Sequence, residues 1–133
     1  MKSDMGERTW DWWKQAERDV RFAENARGGR FFEWACFAAQ QAAEKAVKAL
    51  ATSLGGEAWG HSVTVLLSSL PEEIGVDGPL LDAARALDRH YIQPRYPNGF
   101  DTGAPGDYYT DGDALTAIAH AEEILAFCRH RLR

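Results

Sequence analysis

The sequence predicts an all-α fold, an up-and-down bundle of about five helices with one long loop before the last helix. Apolar residues recur at steps of three and four residues along the helical segments, which is the spacing of one helix face. No segment alternates apolar and polar residues as a half-buried strand does. Glycine pairs and prolines separate the periodic segments, as expected at helix ends. The chain of 133 residues therefore predicts a single helical domain over residues 1–133.

The first two predicted helices carry most of the apolar residues that are expected to face the core. Thr9 is a suitable N-cap for a helix over residues 9–27, which Gly28-Gly29 would end because glycine accepts the left-handed conformation after a helix. A second helix is predicted over residues 31–54. Residues of the types usually found in protein cores form two stripes along it, and one of the stripes is rich in alanine. Two such stripes predict a central helix that is packed closely on more than one side.

Two further helices are predicted in the middle of the chain. A short one fits residues 62–70, and His61 stands just before it, where we expect a capping role. Another begins near Pro79, a residue that suits a first helical turn, and continues to about Tyr91.

A long loop, residues 93–111, is predicted before the last helix, which would begin near Asp111 or Asp113. Loops of this length inside small domains are usually functional or mobile. The residues that forbid a regular helix here are Pro94, Pro97, Pro105, Gly99, Gly103 and Gly106.

Composition narrows the functional classes. A net charge of −5 argues against a protein that simply coats nucleic acid, although it allows a local basic site. Cys36 and Cys128 lie in alanine-rich sequence, which indicates buried free thiols and a cytoplasmic location. No run of about eighteen apolar residues occurs, so we expect no membrane span. The histidines are scattered without ligand spacing, and we expect neither a metal nor a cofactor.

Four pieces of sequence, taken in order, resemble the HEPN domain family. They are AAQQAAEKAVKAL at residues 38–50, the lone His61, LDRHYIQPRYP at residues 87–97, and Tyr108-Tyr109 leading into Asp113. The resemblance implies homodimers or higher homo-oligomers, a nucleotide or RNA ligand, and a nucleotidyltransferase partner encoded next door. It also implies toxin–antitoxin pairing for many members. Some members are metal-independent ribonucleases whose motif is an arginine, four to six residues, and then a histidine.

Arg85 and His90 match that ribonuclease motif on paper. An imidazole can take the proton of the 2′-hydroxyl, and a guanidinium can hold the phosphate as charge builds. On a regular helix, however, a separation of five residues leaves the side chains some 140° apart. The alternative is a chance arginine and histidine on the exposed side of a helix.

The residues that follow His90, from Tyr91 to Pro97, favour the binding of a ligand. Arg95 lies between two prolines, so little entropy is lost when it binds a phosphate or a carboxylate. The alternative is that Arg95 pairs with an acidic residue such as Asp88 or Glu44. Nearby tyrosines could stack a base or bond to phosphate oxygens; they are Tyr91, Tyr96, Tyr108 and Tyr109.

Gln41 and Lys45 are unusual on a helix stripe otherwise rich in tryptophan and alanine, and we expect them to face a polar cleft below the loop. The simpler expectation for this stretch is an ordinary pair between Glu44 and Lys48. Three functions follow: a nucleotide- or RNA-binding dimer that works with a nucleotidyltransferase, an endoribonuclease using Arg85 and His90, or a structural oligomerisation domain.

Overall fold

The protein is an all-α bundle in the structure, a computed structural model that describes residues 4–132, with side chains from residue 6. Over that range it has six α-helices and no strand, which confirms the predicted fold class. The helices are α1 (Asp4–Gly28), α2 (Phe32–Ser53), α3 (Val63–Ser68), α4 (Gly78–Asp88), α5 (Pro105–Tyr108) and α6 (Asp111–Arg131). Helix α2 contacts each of the others and packs most extensively on α1 and α6. Within the same residues, no helix is long and apolar enough to cross a lipid bilayer.

Helix α1 differs from its prediction at its start, and the left-handed residue that follows its end is not a glycine. It begins at Asp4, so the prediction that Thr9 is its N-cap was wrong. Thr9 instead lies inside the helix with only 2% of its surface exposed, because this face packs on the core. The helix ends at Gly28 as predicted, but Arg30, at a φ of 68°, takes the left-handed conformation that was expected of a glycine.

Helix α2 has the two-sided burial that its stripes predict. It lies within one residue of the predicted bounds at each end. Small side chains let α1 and α6 approach its backbone closely, and the removal of their apolar surface from water stabilises the bundle. The buried apolar residues of α2 are Ala35, Cys36, Ala38, Ala39, Ala42, Ala43, Ala46, Val47, Ala49, Leu50 and Ala51.

Helix α3 is capped by Ser62, not by His61. The Ser62 Oγ accepts a hydrogen bond from the Val65 N–H at 3.1 Å, as an N-cap side chain does. The expectation of a capping role for His61 was therefore wrong, since the residue that follows it supplies the cap.

Helix α4 begins as predicted but ends early. Pro79 lies in its first turn, and Asp77 Oδ1 accepts a hydrogen bond from the Leu80 N–H at 2.9 Å. The helix ends at Asp88 rather than at Tyr91, and the chain continues through a turn.

The long loop over residues 93–111 is built from short helical turns. Two 3₁₀ turns, Gln93–Arg95 and Pro97–Gly99, are followed by α5, which accounts for a sixth helix where about five were predicted. Helix α6 then begins at Asp111, one of the two predicted starts, behind the N-cap Thr110. Because Pro94 is buried, the first turn is fixed to the bundle next to α2.

Candidate functional site

A row of buried polar side chains follows one face of α2. Gln40, Glu44 and Lys48 are each less than a tenth exposed, although alanines flank them in the sequence. The Lys48 Nζ donates to the Glu44 Oε2 at 3.0 Å, so the expected intrahelical pair is present. The Gln41 Nε2 donates to the Gln40 Oε1 at 2.9 Å and to the Glu44 Oε1 at 3.3 Å. Buried polar groups need partners, and these residues supply partners to one another.

Lys45 points to α1 rather than to a cleft under the loop. Its Nζ donates to the Asp19 Oδ2 on α1 at 2.6 Å and contacts the Gln41 Oε1 at 3.4 Å. The structure therefore brings Gln41 beside Glu44, as a polar cleft would require, but it uses Lys45 to join α1 to α2.

His61 contacts this row of polar side chains at Glu44. Its Nδ1 is 3.3 Å from the Glu44 Oε2, and its ring stacks on the Tyr91 ring with centroids 4.9 Å apart and an angle of 16°. The Glu44 side chain is 5% exposed, whereas the His61 side chain is 58% exposed. The two residues thus form a dyad in which a buried carboxylate holds an accessible imidazole.

Gln40 and Asp88 hold the backbone at His61 and at the three residues that follow it. The Gln40 Nε2 donates to the His61 carbonyl oxygen at 2.7 Å. The Asp88 carboxylate accepts hydrogen bonds from Ser62 Oγ at 2.9 Å, Val63 N at 2.9 Å, Thr64 N at 3.0 Å and Thr64 Oγ1 at 2.7 Å. The end of α4 is therefore joined to the start of α3, and His61 is fixed between them.

Arg95 is held by a carbonyl group and by aromatic rings. Its Nε donates to the Tyr91 carbonyl oxygen at 2.8 Å. Its guanidinium carbon lies 4.5 Å from the Phe37 ring centroid, 4.9 Å from that of Tyr91 and 5.3 Å from that of Tyr96. Among the described residues no carboxylate lies within ion-pair distance of it, because Asp88 is bound to α3 and Glu44 to Lys48 and His61. The alternative in which Arg95 pairs with one of these two residues was therefore wrong.

The predicted ligand-binding residues divide into two groups. Arg95, Tyr91 and Tyr96 come together, and Tyr96 is 47% exposed. Tyr109 contacts a different predicted residue, since its hydroxyl is 3.3 Å from the His90 Nδ1.

Arg85 and His90, the predicted ribonuclease pair, do not meet within one chain. The exposed Arg85 Nη1 donates to the Asp82 Oδ1 at 2.9 Å, whereas His90 contacts Tyr109. His90 faces a cleft of about 230 Å³ between α4 and α6, which Arg85 does not line. The polar residues that line this cleft are Arg89, His90, Asp113, Thr116 and His120. Across residues 4–132, no three potential metal ligands of the His, Cys, Asp or Glu type cluster here or elsewhere.

The protonation state of His90 follows from its burial. Burial lowers the pKa of His90, the charges of Arg89 and His120 lower it further, and Asp113 acts in the opposite direction. Burial also raises the pKa of Tyr109 to about 12. At neutral pH the pair is therefore a neutral imidazole beside a neutral phenol.

A family model described as the HEPN domain matches residues 9–131 of this chain. The chain belongs to the HEPN domain family. Its structure is similar to that of TT1696 from Thermus thermophilus, with a TM-score of 0.92 and 44% identity over 94% of this chain and 98% of the other. It is also similar to the archaeal HEPN homologue ST0689, with a TM-score of 0.78 and 41% identity over the whole of both chains.

Two other similar proteins are more distant in sequence. A HEPN domain protein of Thermotoga maritima, tm0613, gives a TM-score of 0.74 and 34% identity over 90% of this chain and 95% of the other. A Methanocaldococcus jannaschii protein named "Putative toxin MJ1304" is 26% identical over 129 residues, which cover 90% of this chain and 85% of the relative. The family resemblance drawn from the motifs is thereby confirmed, and the relatives include a toxin-like member.

Sequence reasoning on this HEPN chain missed His61, Glu44 and Asp88 as parts of one site. Glu44 had a usable signal, since a charged residue set among alanines on a two-sided helix must be buried and must find a partner. The joining of His61 and Asp88 through α3 had no comparable local signal.

Proposed function

We propose that this HEPN protein binds the phosphate groups of a nucleotide or RNA at a surface formed by Tyr91, Arg95 and Tyr96, here called the Arg95 surface. The observation that carries the proposal is the environment of Arg95. Its Nε is bound to a carbonyl oxygen, and neither terminal nitrogen has a hydrogen-bond or ion-pair partner in the part of the chain that the structure describes. Two parallel donors in a planar fork match the oxygens of a phosphate.

The aromatic rings around Arg95 support a ligand that also carries a base. Tyr96 is about half exposed, and stacking on such a ring is tolerant of base identity. The rings also restrict the arginine before the ligand arrives, which reduces the entropy lost on binding. Gln41, Lys45 and Tyr109 are left out of the proposed site, because their side chains contact Glu44, Asp19 and His90 instead.

The wider role that we propose is that of a toxin-type subunit. The support is membership of the HEPN family together with the toxin-like name of a relative. In this proposal residues 1–133 form one domain, the chain works as a homodimer in the cytoplasm, and its partner is a nucleotidyltransferase encoded by an adjacent gene. Co-expression with that neighbour should yield a complex that survives gel filtration, and separate elution of the two would contradict the pairing.

An exposed apolar surface on α1 and the start of α2 supports the homodimer. Phe22, Phe31 and Trp34 are 55%, 59% and 40% exposed, and they line an apolar cleft of about 250 Å³. Exposed aromatic groups of this kind are typical of interfaces. Sedimentation should show that Phe31→Glu converts a dimer to a monomer; a dimer that persists would remove this surface from the proposal.

The binding proposal is tested by replacing Arg95 and a matched arginine. Affinity for a fluorescein-labelled single-stranded RNA, and for ATP, would be measured by anisotropy at two salt concentrations. We expect Arg95→Ala to weaken RNA binding by about 10–100-fold, which corresponds to one charged hydrogen-bonding group. Arg85→Ala, which removes an exposed arginine that already contacts Asp82, should change the affinity less than about twofold.

Two outcomes of the same experiment would contradict the proposal. If the wild type binds neither probe, or if both arginine variants lose the same affinity, the Arg95 surface is not the binding site. Absence of any ligand, together with a stable dimer, would favour the structural oligomerisation domain. Thermal midpoints of all the variants are compared first, so that a loss of folding is separated from a loss of binding.

A second candidate function is RNA cleavage with His90 as the base. The observation that favours it is a neutral imidazole in a cleft that also contains Arg89 and His120. Within one chain Arg85 does not supply the cation of such a site, so Arg85 would have to act across a dimer interface. Unchanged cleavage of RNA by His90→Ala would eliminate this candidate.

A further inference from the structure

An exposed tryptophan lies beside α3, on a part of the molecule that the proposed functions do not use. Trp59 is 81% exposed and Val65 is 59% exposed, and both line a cleft of about 240 Å³. The Trp59 Nε1 donates to the Glu57 Oε1 at 3.2 Å, so the ring is held in place although it faces water. An exposed tryptophan that is held in this way is typical of a protein–protein interface.

A second cleft adjoins the first at Leu70, which lines both. Its volume is about 320 Å³, and its apolar lining includes Leu67, Val76 and Leu81. The residues that line the two clefts are here called the α3 surface. Adjoining apolar clefts suit the apolar face of an amphipathic helix, whose anchoring side chains recur at steps of three and four residues.

The segment that forms the α3 surface carries the net charge of the protein. Residues 49–84 contain five of the twenty carboxylate side chains and none of the fifteen lysines and arginines, so the formal charge of the rest of the chain is zero. Each cleft has one carboxylate in its lining, Glu57 in the first and Glu72 in the second. Among the described residues, no lysine or arginine lines either cleft.

Two arginines contact this segment from other parts of the chain, and both are bound away from Glu57 and Glu72. Arg85 pairs with the Asp82 carboxylate, and the Arg131 Nε donates to the Ile74 carbonyl oxygen. The charge of the two lining carboxylates is therefore left for an occupant of the surface.

That charge decides which occupant the α3 surface can take. RNA and an anionic membrane are both repelled by carboxylates. A second copy that docked through the same surface about a two-fold axis would bring two acidic surfaces together, which like charges oppose. The homodimer proposed above uses Trp34, whereas the α3 surface includes Ala51, about 25 Å further along α2. A dimer formed at Trp34 does not use the α3 surface.

We propose that the α3 surface is the docking site for an amphipathic helix of a partner protein, one that carries lysine or arginine beside large aliphatic residues. The aliphatic side chains enter the clefts next to Trp59 and Leu70, and the basic side chains lie against Glu57 and Glu72. The tryptophan supplies most of the affinity, and the opposite charges orient the helix. This docking does not depend on the binding of RNA at the Arg95 surface.

Two peptides of opposite charge test the proposal with the full chain. A fluorescein-labelled helical peptide of leucine and lysine is the probe, and the same peptide with glutamate in place of lysine is its control. Anisotropy should show binding of the first and not of the second. Trp59→Ala should weaken binding by about 10–100-fold, as the loss of a central tryptophan does. Trp10→Ala, which removes a tryptophan that is 47% exposed on α1, should change the affinity less than about twofold.

A matched pair of charge reversals separates local attraction from overall attraction. Glu72→Lys and Glu122→Lys change the net charge equally, but only Glu72 lines the α3 surface, since Glu122 is exposed on α6. We expect Glu72→Lys to weaken binding of the leucine–lysine peptide by about tenfold and Glu122→Lys by less than about threefold. Thermal midpoints of all the variants are compared with that of the wild type, so that a folding defect is recognised.

Four results would overturn the proposal. Failure of the wild type to prefer the leucine–lysine peptide would remove the basic helix as the occupant. Equal weakening by the two charge reversals would show attraction to the whole acidic protein, and unchanged affinity of Trp59→Ala would show that the clefts are not the site. A smaller sedimentation coefficient of Trp59→Ala without peptide would show that a second copy covers the surface instead.

Discussion

Asp88 joins the end of α4 to the start of α3, and its replacement by alanine is the sharpest test of how the site is held. The carboxylate accepts hydrogen bonds from two backbone N–H groups, those of Val63 and Thr64, and from the hydroxyls of Ser62 and Thr64. Val63 is fully buried, so water cannot easily replace the carboxylate at its N–H. The hydroxyls can turn to solvent and should cost less.

The size of the effect follows from the donors left without a partner. A buried donor that loses its acceptor costs about 1–3 kcal/mol, and two backbone donors are affected here. The Ser62 cap on Val65 survives the change, which limits the loss. We therefore expect Asp88→Ala to lower the free energy of unfolding by about 2–4 kcal/mol.

Equilibrium unfolding in urea, followed by far-ultraviolet circular dichroism, measures this difference. The matched control is Asp82→Ala on the same helix, because the Asp82 side chain is 78% exposed and pairs only with the exposed Arg85. That control should change the free energy of unfolding by less than about 0.5 kcal/mol. If Asp88→Ala costs less than about 1 kcal/mol, the view that this carboxylate holds α3 in place is refuted.

Three other predictions concern stability and reactivity. Burial raises the pKa values of Cys36 and Cys128 to about 12 each, so a disulfide reagent should label neither thiol until urea unfolds the protein; labelling at the rate of free cysteine would contradict this. Burial lowers the pKa of His90 below 6.5, so the unfolded chain binds the proton more readily, and the free energy of unfolding should fall as the pH drops below that value. Urea titrations should show a flatter curve there for His90→Asn, and an identical slope would refute the assignment. Gly103→Ala should destabilise the protein, because the residue has a φ of +79° and an added Cβ would lie 3.0 Å from a carboxylate oxygen. Gly28→Ala places its Cβ in open space and should stabilise the protein by up to about 1 kcal/mol. Thermal melts compare the two variants, and equal shifts of the midpoint would contradict both expectations.

The bounds of α2 were predictable because the residues of the helix themselves determine where it begins and ends. Alanines and leucines at helical spacing on two stripes specify both the helix and its burial on two sides, whatever the neighbouring helices are. The start of α1 was not predictable in this way. Threonine favours a helix N-cap over a helix interior, so the local sequence indicated a cap, and only the packing of Thr9 against the core decided otherwise.

The end of α4, by contrast, depends on contacts with a distant part of the chain. Nothing in the residues around Asp88 indicates a helix end, and the periodic pattern continues to Tyr91. The helix stops at Asp88, whose carboxylate is bound by donors at the start of α3, about 25 residues earlier in the chain. A pattern that is read along the chain cannot pair residues across such a distance, and for the same reason it could not bring His61 to Glu44.

The position of Arg95 was predictable from its flanking prolines, but its environment was not. The sequence left open whether an acidic residue such as Asp88 or Glu44 would neutralise it. The two candidate carboxylates are instead occupied elsewhere, Glu44 by a lysine and a histidine, and Asp88 by the first turn of α3. Neither carboxylate is therefore available to Arg95, and among the described residues its two terminal nitrogens have no partner. An acidic protein can therefore present a local site for phosphate, and salt should weaken binding there with the shallow slope of few phosphate contacts.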